Sequence, residues 1–476
     1  MKLPVNKTKI VCTMGPASES VEIIKQMVYA GMNIARLNFS HGDLNSHEKI
    51  ILNLRSAAKA TGRRIAIIAD LPGPKMRIGQ FIKEPIDLKP NDIFTLTTKE
   101  IIGDESKVSV TFAGITKVLK KEDMIFLNDG LIQLEVIKVQ NKDVVCRVVV
   151  GGELRSRNGL NLPGAELGII AFTERDHEYL KFAMRHDIDA VSQSFVESGR
   201  DILEVRKAAN EIGYNPFIIA KIERLKALEY IDEILENSDG IMIARGDLGV
   251  EIPIEKIAIV QKQLMYKANL LGKPVITATQ MLESMTRNRR PTRAEATDVA
   301  NAILDGTDCV MLSGESAMGK YPVEAVDMLS KIASATEPYL RKHHIREELK
   351  AFKSDKVSLT ELIALGIETT VERISPSAVF VPTHSGATAR NITRFRIPVW
   401  IVAISSQETT CQRLQFSYGV YPVHEPEHPE DWNAYVKKWL YENEVEGNIV
   451  LLTEGPSTKH PEVNNRLEII DLNRKI

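Results

Sequence analysis

The chain begins with three short β-rich segments, which are KIVCTMG at residues 9–15, NIARLNFS at residues 33–40 and IAIIADL at residues 65–71. The two stretches between them, residues 20–30 and 46–60, carry apolar residues at helical spacing. Strands that alternate with helices in this way are typical of parallel sheets. The start of the chain therefore predicts an α/β fold.

Five more strand-like segments follow after residue 168, with helical patterns such as residues 254–271 between them. They are AVSQSF (190–195), FIIAKIE (217–223), GIMIAR (240–245), VITATQ (275–280) and CVMLS (309–313). Three strands plus five make eight, which predicts a (β/α)8 TIM barrel. An open doubly wound sheet is the alternative that the same pattern permits.

The segment between the third and fourth barrel strands has a different pattern. From residue 73 to 168 the apolar residues alternate with period two, as in IFTLTT at 93–98, and turn residues stand at 89–92, 128–130 and 140–142. No long helix fits this pattern, so the segment predicts an inserted all-β domain.

The end of the chain alternates helix and strand again. The charged residues 341–356 predict a linker or a solvated helix, residues 359–373 a helix, and five apolar runs (AVFVP, VWIVAIS, GVYPV, NIVLL and EIIDL) predict five strands. We therefore predict three domains: a barrel of residues 1–72 and 169–340, an inserted β domain of residues 73–168, and a C-terminal α/β domain of residues 341–476.

The composition excludes several classes of protein. The 476 residues are 43% hydrophobic, and 61 basic against 63 acidic residues give a net charge of -2, which argues against a nucleic-acid or membrane-surface partner. The four cysteines form no CxxC pair, which argues against a disulfide framework or a zinc site. We find neither a signal peptide nor an apolar run of the ~18 residues that a membrane span needs. A soluble cytoplasmic protein is expected.

Charged and polar residues stand at the ends of most predicted barrel strands, where the active sites of such barrels lie. Glu223 and Asp247 are one βα unit apart, and two carboxylates with substrate oxygens and water are typical of a Mg²⁺ site. Lys221 and Glu223 are two residues apart in a predicted strand, so both face the same side. An ammonium beside a metal can hold a phosphoryl group. Arg36 can clamp the same anion. Together these residues predict a Mg²⁺-dependent enzyme, with Mn²⁺ as a substitute ion, that acts on a phosphorylated or carboxylated anion.

Each of these residues also has a simpler explanation when it is taken alone. Lys221 and Glu223 fit an ion pair at a strand edge, Asp247 fits a helix cap, and Arg36 fits a structural ion pair. Only their recurrence at successive strand ends favours a site.

Seven motifs give the chain a resemblance to the pyruvate kinase family, in the same order and over nearly the whole length. They are TKIVCTMGPAS (8–18), RLNFSHG (36–42), AKIE (220–223), ARGDLGVEIP (244–253), ATQMLESM (278–285), RPTRAEATDVANAILDGTDCVMLSGESA (290–317) and THSGAT (383–388). The resemblance implies a TIM barrel with an inserted β-barrel lid and a C-terminal regulatory domain. It also implies a cytoplasmic homotetramer that carries out the final step of glycolysis, in which a phosphoryl group passes from phosphoenolpyruvate to ADP to give pyruvate and ATP.

The resemblance also implies roles for individual residues. Lys221, Arg36 and Thr279 are the implied catalytic residues, with Lys221 bridging the transferred phosphoryl group and Thr279 protonating the enolate through water. The implied contacts with substrate are Arg36, Ser194, Lys221, Gly246, Asp247 and Thr279. The implied contacts with the nucleotide are Asn38, Phe39, Ser40, His41 and Arg77. Glu223 and Asp247 are the implied Mg²⁺ ligands.

Two residues depart from the family pattern. Most members need a monovalent cation, held by groups that match Asn38, Ser40, Asp70 and the carbonyl of Leu71, and those members carry glutamate at the position of Lys75. A lysine ammonium can take the place of potassium, so we predict that K⁺ is not required, the alternative being that Lys75 points to solvent. In the lid, Arg157 stands near the position of a family lysine and is its candidate replacement.

The late THSGAT motif matches the family's effector site. Hydroxyls and backbone N–H groups at a helix start can bind phosphate, so Thr383, Ser385, Gly386 and Thr388 are candidate contacts for a phosphorylated allosteric effector. A simple helix cap with a glycine turn is the alternative. Two other functions also fit the barrel motifs: a Mg²⁺-dependent lyase or aldolase of the enolpyruvate type, and a catalytically silent sensor that presents the effector site.

Overall fold

Eight parallel strands close into a barrel in the computed structural model, which describes residues 3–340, 358–455 and 464–473. The strands are β1 Lys9–Thr13, β2 Ile34–Asn38, β3 Ala66–Leu71, β12 Ala190–Gln193, β13 Phe217–Ile222, β14 Gly240–Ala244, β15 Val275–Ala278 and β16 Cys309–Leu312. Closure comes from the pairing of β1 with both β2 and β16. The predicted TIM barrel is therefore confirmed, and the open sheet is excluded.

Seven of the eight barrel strands end one or two residues before the predicted ends, and β3 ends at Leu71 as predicted. Phe195, Thr279 and Gln280 were predicted to lie in strands, but they have φ values of 61°, 69° and 54°. A residue in this left-handed region turns the chain out of the strand ladder. The motifs that follow the strands therefore lie in the loops at the barrel mouth.

Helices cover the outside of the barrel. They are α1 Val21–Ala30, α2 Leu44–Thr61, α4 Glu174–Arg185, α5 Gly199–Glu211, α6 Leu225–Glu229, α7 Ile231–Asn237, α8 Arg245–Glu251, α9 Ile257–Leu270, α10 Arg293–Leu304, α11 Gly314–Ala317 and α12 Pro322–Thr336. Short 3₁₀ turns occupy Ile254–Lys256, Glu283–Thr286 and Glu337–Tyr339. The helix predicted over residues 254–271 thus begins as a 3₁₀ turn. Thr173 caps α4 through a reciprocal capping box with Asp176.

The inserted segment contains eight strands and, in the middle, one four-residue helix, α3 Ile115–Val118. The strands are β4 Ile86–Leu88, β5 Ile93–Thr97, β6 Lys107–Ser109, β7 Met124–Leu127, β8 Ile132–Gln140, β9 Asp143–Val150, β10 Gly152–Leu154 and β11 Leu160–Asn161. They form a six-stranded sheet and a two-stranded sheet rather than a single closed barrel. Asn91, Asn128 and Asn141, which lie in the predicted turns, all have positive φ, a conformation that asparagine tolerates well.

The C-terminal part is a five-stranded sheet with helices, as predicted. Its strands are β17 Ala378–Pro382, β18 Trp400–Ser405, β19 Val420–His424, β20 Ile449–Glu454 and β21 Arg466–Asp471, and only β21 runs antiparallel to its neighbour. Its helices are α13 Leu359–Ile374, α14 Ala387–Thr393, α15 Glu408–Arg413 and α16 Trp432–Glu442, with a 3₁₀ turn at Leu414–Phe416. The linker predicted for residues 341–356 lies outside the described residues.

This C-terminal part packs against the N-terminal end of the barrel. Phe416 joins the apolar cluster inside the barrel and stacks on Phe217, with ring centroids 5.2 Å apart. Arg396 forms a buried ion pair with Asp308, whose carboxylate also accepts hydrogen bonds from Val275 N and Tyr418 N. The barrel is thus closed at one end, and any substrate must enter at the other.

Two further observations are not tied to a single domain. Within residues 3–340, 358–455 and 464–473, no helix has the length and apolarity to cross a membrane. Cys12, Cys146, Cys309 and Cys411 are all buried and unpaired.

Candidate active site in the barrel mouth

The barrel interior has an apolar layer below and a charged layer above. Inward-facing residues near the strand starts, such as Ile34, Ile68 and Ile219, belong to one apolar cluster. Two residues further along each strand, the same face carries a charged side chain, because side chains alternate with period two. These charged residues are Arg36, Asp70 and Lys221, and each is at most 8% exposed.

Asp70 binds both cations of this layer. Its carboxylate pairs with Arg36, whose Nε lies 3.1 Å away, and lies 3.4 Å from Lys221 Nζ. Ser192 Oγ also donates a hydrogen bond of 2.5 Å to Asp70. Burial alone would raise the pKa of Asp70, but Arg36 and Lys221 outweigh burial and lower that pKa to about 2. Asp70 is therefore ionised at neutral pH.

Lys221 lies at the centre of the layer with three partners. Its ammonium donates to Ser194 Oγ at 2.6 Å and pairs with Glu223 at 2.7 Å, in addition to Asp70. Burial lowers the pKa of Lys221, but the two carboxylates outweigh it, so the pKa lies above its ordinary value. A buried cation that stays charged is suited to an anionic ligand.

Glu223 and Asp247 offer carboxylate oxygens on the same side of the mouth. Glu223 accepts a hydrogen bond from Phe195 N at 2.9 Å, and its pKa is raised, first by burial and then by the charge of Asp247, against the opposing effect of Lys221. Asp247 is exposed in the first turn of α8. The two carboxylates repel each other, and a divalent cation bound by both would remove that repulsion.

A metal here would need further ligands. Among the described residues, no group of three or more histidine, cysteine, aspartate and glutamate side chains could hold a metal ion. Mg²⁺ often takes only one or two carboxylates and completes its shell with substrate oxygens and water. The pair Glu223 and Asp247 therefore fits Mg²⁺ together with an anionic substrate.

The start of α8 is fastened to the end of β15. Thr279 Oγ1 accepts a hydrogen bond from Gly246 N at 2.8 Å and donates one to Ala278 O at 2.6 Å. Arg245 reinforces this contact, since Nη2 donates to Thr279 O at 2.8 Å and the guanidinium pairs with Asp298 at 2.8 Å. The first amide groups of α8, which lack partners within the helix, thus lie beside Thr279.

The predicted nucleotide contacts lie at the last residue of β2 and in the loops after β2 and β3. Asn38 Oδ1 accepts from Ser40 N at 3.1 Å, and His41 is exposed. The Phe39 ring is 1% exposed and stacks on Tyr179, so only its backbone is available to a ligand. Sequence alternation could not reveal this, because Phe39 lies in a turn.

Arg77 lies between the mouth and the inserted domain. Its Nη1 donates a hydrogen bond of 2.8 Å to the carbonyl of Arg157, and the Arg157 side chain is exposed. The two guanidinium groups therefore belong to one region of the inserted domain.

Lys75 lies beside the charged layer and is exposed. Its ammonium has no hydrogen bond or ion pair with any of the residues that the structure describes. Partial burial and then the charge of Lys221 lower the pKa of Lys75, while Asp70 raises it. The replacement of K⁺ by Lys75 stays a prediction. The Leu71 carbonyl accepts a hydrogen bond from Ser194 N at 3.3 Å.

The THSGAT motif lines a cavity of about 650 Å³ in the C-terminal domain. Gly386 has a φ of 80°, and its N–H donates to Thr383 Oγ1 at 3.0 Å, while Ser385 Oγ accepts from Ala387 N at 3.4 Å. Thr388 also lines this cavity. The lining includes three carboxylates, those of Glu425, Glu427 and Glu454.

Some residues of the mouth were missed by the sequence analysis. Ser192 stands two residues before Ser194 on the same strand face, so period-two alternation could have found it. Thr13 accepts a hydrogen bond from Arg36 Nη1 at 2.9 Å. Arg245 was noticed within its motif, but its contacts with Thr279 and Asp298 depend on the folded chain and had no sequence signal.

Comparisons with known proteins agree with this geometry. A family model for the barrel domain of pyruvate kinase matches residues 5–326, and one for the alpha/beta domain of pyruvate kinase matches residues 361–470. The chain belongs to the pyruvate kinase family. The predicted function, phosphoryl transfer from phosphoenolpyruvate to ADP in glycolysis, is thereby confirmed.

Individual relatives cover nearly the whole chain. The chain is 48% identical over 458 residues to the pyruvate kinase of Thermococcus litoralis, with 96% of each chain covered. It is 41% identical over 456 residues to that of Thermotoga maritima, covering 95% of this chain and 96% of the relative. A crystal structure of a pyruvate kinase from Cryptosporidium parvum superposes with a TM-score of 0.91 at 34% identity, covering 98% and 96% of the two chains.

Replacing Asp70 tests the electrostatic balance of the mouth. Its pKa of about 2 lies below the ordinary value of 3.8, so its ionised form stabilises the folded state by about 2 kcal/mol at neutral pH. Because the folded pKa is depressed, this stabilisation is complete above about pH 5 and is lost as the pH falls toward 2. We expect Asp70→Asn to lower the free energy of unfolding at pH 7 and to lower it by about half as much at pH 3.

Urea unfolding at several pH values measures this difference. Asp232→Asn is the matched control, since that carboxylate is exposed and pairs only with Lys267. A difference between Asp70→Asn and the unaltered protein that is equal at pH 7 and pH 3 would contradict the assignment.

Proposed function

We propose that Lys221 holds the phosphoryl group while it passes from phosphoenolpyruvate to ADP. The bond from phosphorus to the enol oxygen breaks, a bond to the terminal phosphate oxygen of ADP forms, and the enolate takes up a proton at carbon. The observation that carries the proposal is the buried Lys221 ammonium, held between Asp70, Ser194 and Glu223. Such a charge, fixed before substrate arrives, stabilises the transferring group without reorganisation.

Glu223 and Asp247 are proposed to hold Mg²⁺, with Mn²⁺ as a substitute. When bound, the ion would neutralise charge on the phosphoryl and enolate oxygens. The carboxylate of Glu223 is oriented for this by Phe195 N, and the geometry of Asp247 is set by the first turn of α8. Support comes from the raised pKa of Glu223, which has burial as its main cause and the negative charge of Asp247 as a further one.

The remaining substrate contacts surround this centre. Arg36 is proposed to bind phosphate, because Asp70 and Thr13 fix its guanidinium and leave other N–H groups free to donate. Ser194 is proposed to join it. The first amides of α8 at Gly246 and Asp247 are proposed to bind the carboxylate of the substrate, for which the Gly246 N–H would exchange Thr279 Oγ1 for a carboxylate oxygen.

Thr279 is proposed to deliver the proton to carbon through water. Its hydroxyl already accepts from Gly246 N and donates to Ala278 O, so it is held in place and can relay a proton only with an exchange of partners. The proposed nucleotide contacts are the backbone of Phe39 and the side chains of Asn38, Ser40, His41 and Arg77.

Removing the Lys221 charge tests its role. We expect Lys221→Met to lower kcat by about 10²–10³-fold, because one preorganised charge at the transferring group is lost. Pyruvate formation with saturating ADP and Mg²⁺ is the measurement. Lys267→Met, which removes an exposed ion pair with Asp232, is the control and should keep full activity. A Lys221→Met variant that is folded and retains more than a tenth of kcat would refute the role.

We also propose that Lys75 replaces the monovalent cation. Its ammonium has no hydrogen bond or ion pair with the described residues, and burial and the charge of Lys221 lower its pKa while Asp70 raises it. This supports the proposal that the ammonium supplies the charge that K⁺ would supply beside Asn38, Ser40 and the Leu71 carbonyl. We expect the unaltered enzyme to be active in K⁺-free buffer, and Lys75→Glu to be inactive until KCl is added, because glutamate reverses the local charge.

Pyruvate formation is followed while KCl is titrated, with choline chloride keeping the ionic strength constant. Lys83→Glu makes the same charge change at an exposed position of the inserted domain and should leave the K⁺ response unchanged. If Lys75→Glu responds to KCl no more than the unaltered enzyme does, K⁺ replacement by Lys75 is rejected.

The C-terminal cavity is proposed as the site of a phosphorylated effector, contacted by Thr383, Ser385, Gly386 and Thr388. The hydroxyls and the glycine turn support a phosphate contact. We expect a sugar phosphate to bind the unaltered chain in calorimetry and to bind at least tenfold more weakly to Thr388→Val. Equal binding to both proteins would place the ligand elsewhere.

The homotetramer and the cytoplasmic location stay predictions. Light scattering of the purified chain measures the mass of the native particle and so decides the first of them.

A further inference from the structure

Arg224 follows Glu223 directly and is a buried cation at the edge of the mouth, 4% exposed. Its Nη2 donates a hydrogen bond of 3.1 Å to the carbonyl of Ala165. Its Nε lies 3.3 Å from the carboxylate of Glu251 as an ion pair without hydrogen-bond alignment, and Glu197 lies 3.7 Å from Nη2. One guanidinium thus contacts three separate segments.

These segments have different functions in the molecule. Ala165 packs against the apolar core of the inserted domain and lies where the chain returns from that domain to the barrel. Glu251 is the last residue of α8, the helix whose first turn carries Asp247. Arg224 is the neighbour of Glu223 in the chain and also contacts the helix that carries Asp247. It therefore connects the return segment of the inserted domain with both proposed Mg²⁺ ligands.

Two other contacts join the same parts of the structure. Lys226 Nζ lies 3.6 Å from Glu166 and 3.5 Å from Glu197. Elsewhere in the inserted domain, Gly130 lies so close to α8 that an added Cβ would be 3.3 Å from Val250. The inserted domain therefore approaches α8 directly at Gly130 and indirectly through Arg224. Of the two cations, Arg224 is buried and Lys226 is partly exposed.

We infer that Arg224 is a positioning residue, which couples the placement of the inserted domain to the geometry of the carboxylates Glu223 and Asp247. The inference rests on the proposed Mg²⁺ site. A planar guanidinium can serve the Ala165 carbonyl and the Glu251 carboxylate at once, whereas a lysine ammonium lacks that fork. Movement of the return segment would thus displace α8 and, with it, Asp247.

Binding of Mn²⁺ to the full-length protein, followed by electron paramagnetic resonance, tests this without turnover. We expect Arg224→Met to raise the Kd for Mn²⁺ about tenfold and to speed hydrogen exchange of the amides at residues 164–168, with Arg224→Lys intermediate. Arg206→Met is the matched control, because it removes an ion pair with Asp239 at the opposite end of the barrel, and it should change neither quantity.

A double variant separates positioning from stability. Arg224→Met alone leaves Glu251 buried without its cation, which lowers the melting temperature. Arg224→Met with Glu251→Gln removes both charges, so we expect the melting temperature to recover while the Mn²⁺ affinity stays low. Recovery of the Mn²⁺ affinity in the double variant, or a Kd for Arg224→Met within twofold of the unaltered protein, overturns the inference.

Glu223→Gln distinguishes a failure of the proposed Mg²⁺ site from a failure of the proposed role of Arg224. If it loses Mn²⁺ binding while Arg224→Met does not, the metal site stands and only the role of Arg224 is wrong. If Glu223→Gln binds Mn²⁺ as tightly as the unaltered protein, the metal site itself is wrong, and the role of Arg224 falls with it.

Discussion

The buried ion pair between Arg36 and Asp70, extended by Lys221 and Glu223, is the contact on which the barrel mouth depends. Two cations and two carboxylates lie together at 8% exposure or less. A buried charge is costly unless it is paired and hydrogen-bonded. Any one of these four groups, buried without its partners, would therefore destabilise the folded chain. Because the members come from β2, β3 and β13, their charges balance only when these strands stand side by side in the closed barrel.

This balance also explains why the mouth can bind a metal and an anion. The four buried charges cancel, and Asp247 adds an exposed negative charge beside Glu223. The carboxylates of Glu223 and Asp247 thus lie on one side of the mouth, and the Lys221 ammonium lies at its centre. A divalent cation and a phosphorylated substrate complement that arrangement. The opposite end of the barrel is closed by apolar packing around Phe416, which confines the chemistry to one end.

Alternation along the strands made much of this predictable. Lys221 and Glu223 are two residues apart, so a period of two places both on one face without any knowledge of the fold. The same rule relates Ser192 to Ser194. The turns in the inserted domain could also be predicted, since Asn91, Asn128 and Asn141 readily adopt the left-handed conformations that such turns need. The ends of the strands were harder to predict. Phe195 and Thr279 leave the strand ladder through a positive φ, and neither residue type favours that conformation.

The sequence by itself determined the order of strands and helices, the face on which each charged residue lies, and the family to which its motifs belong. These properties depend on residue type and on the spacing of nearby residues, and both can be read directly from the sequence. Only the tertiary structure decided that Arg224 contacts Ala165 and Glu251 and that Arg245 links α8 to Thr279. It also decided that the Phe39 ring is buried and so cannot contact a ligand. Such contacts join segments tens of residues apart, and their distances exist only after the barrel has closed.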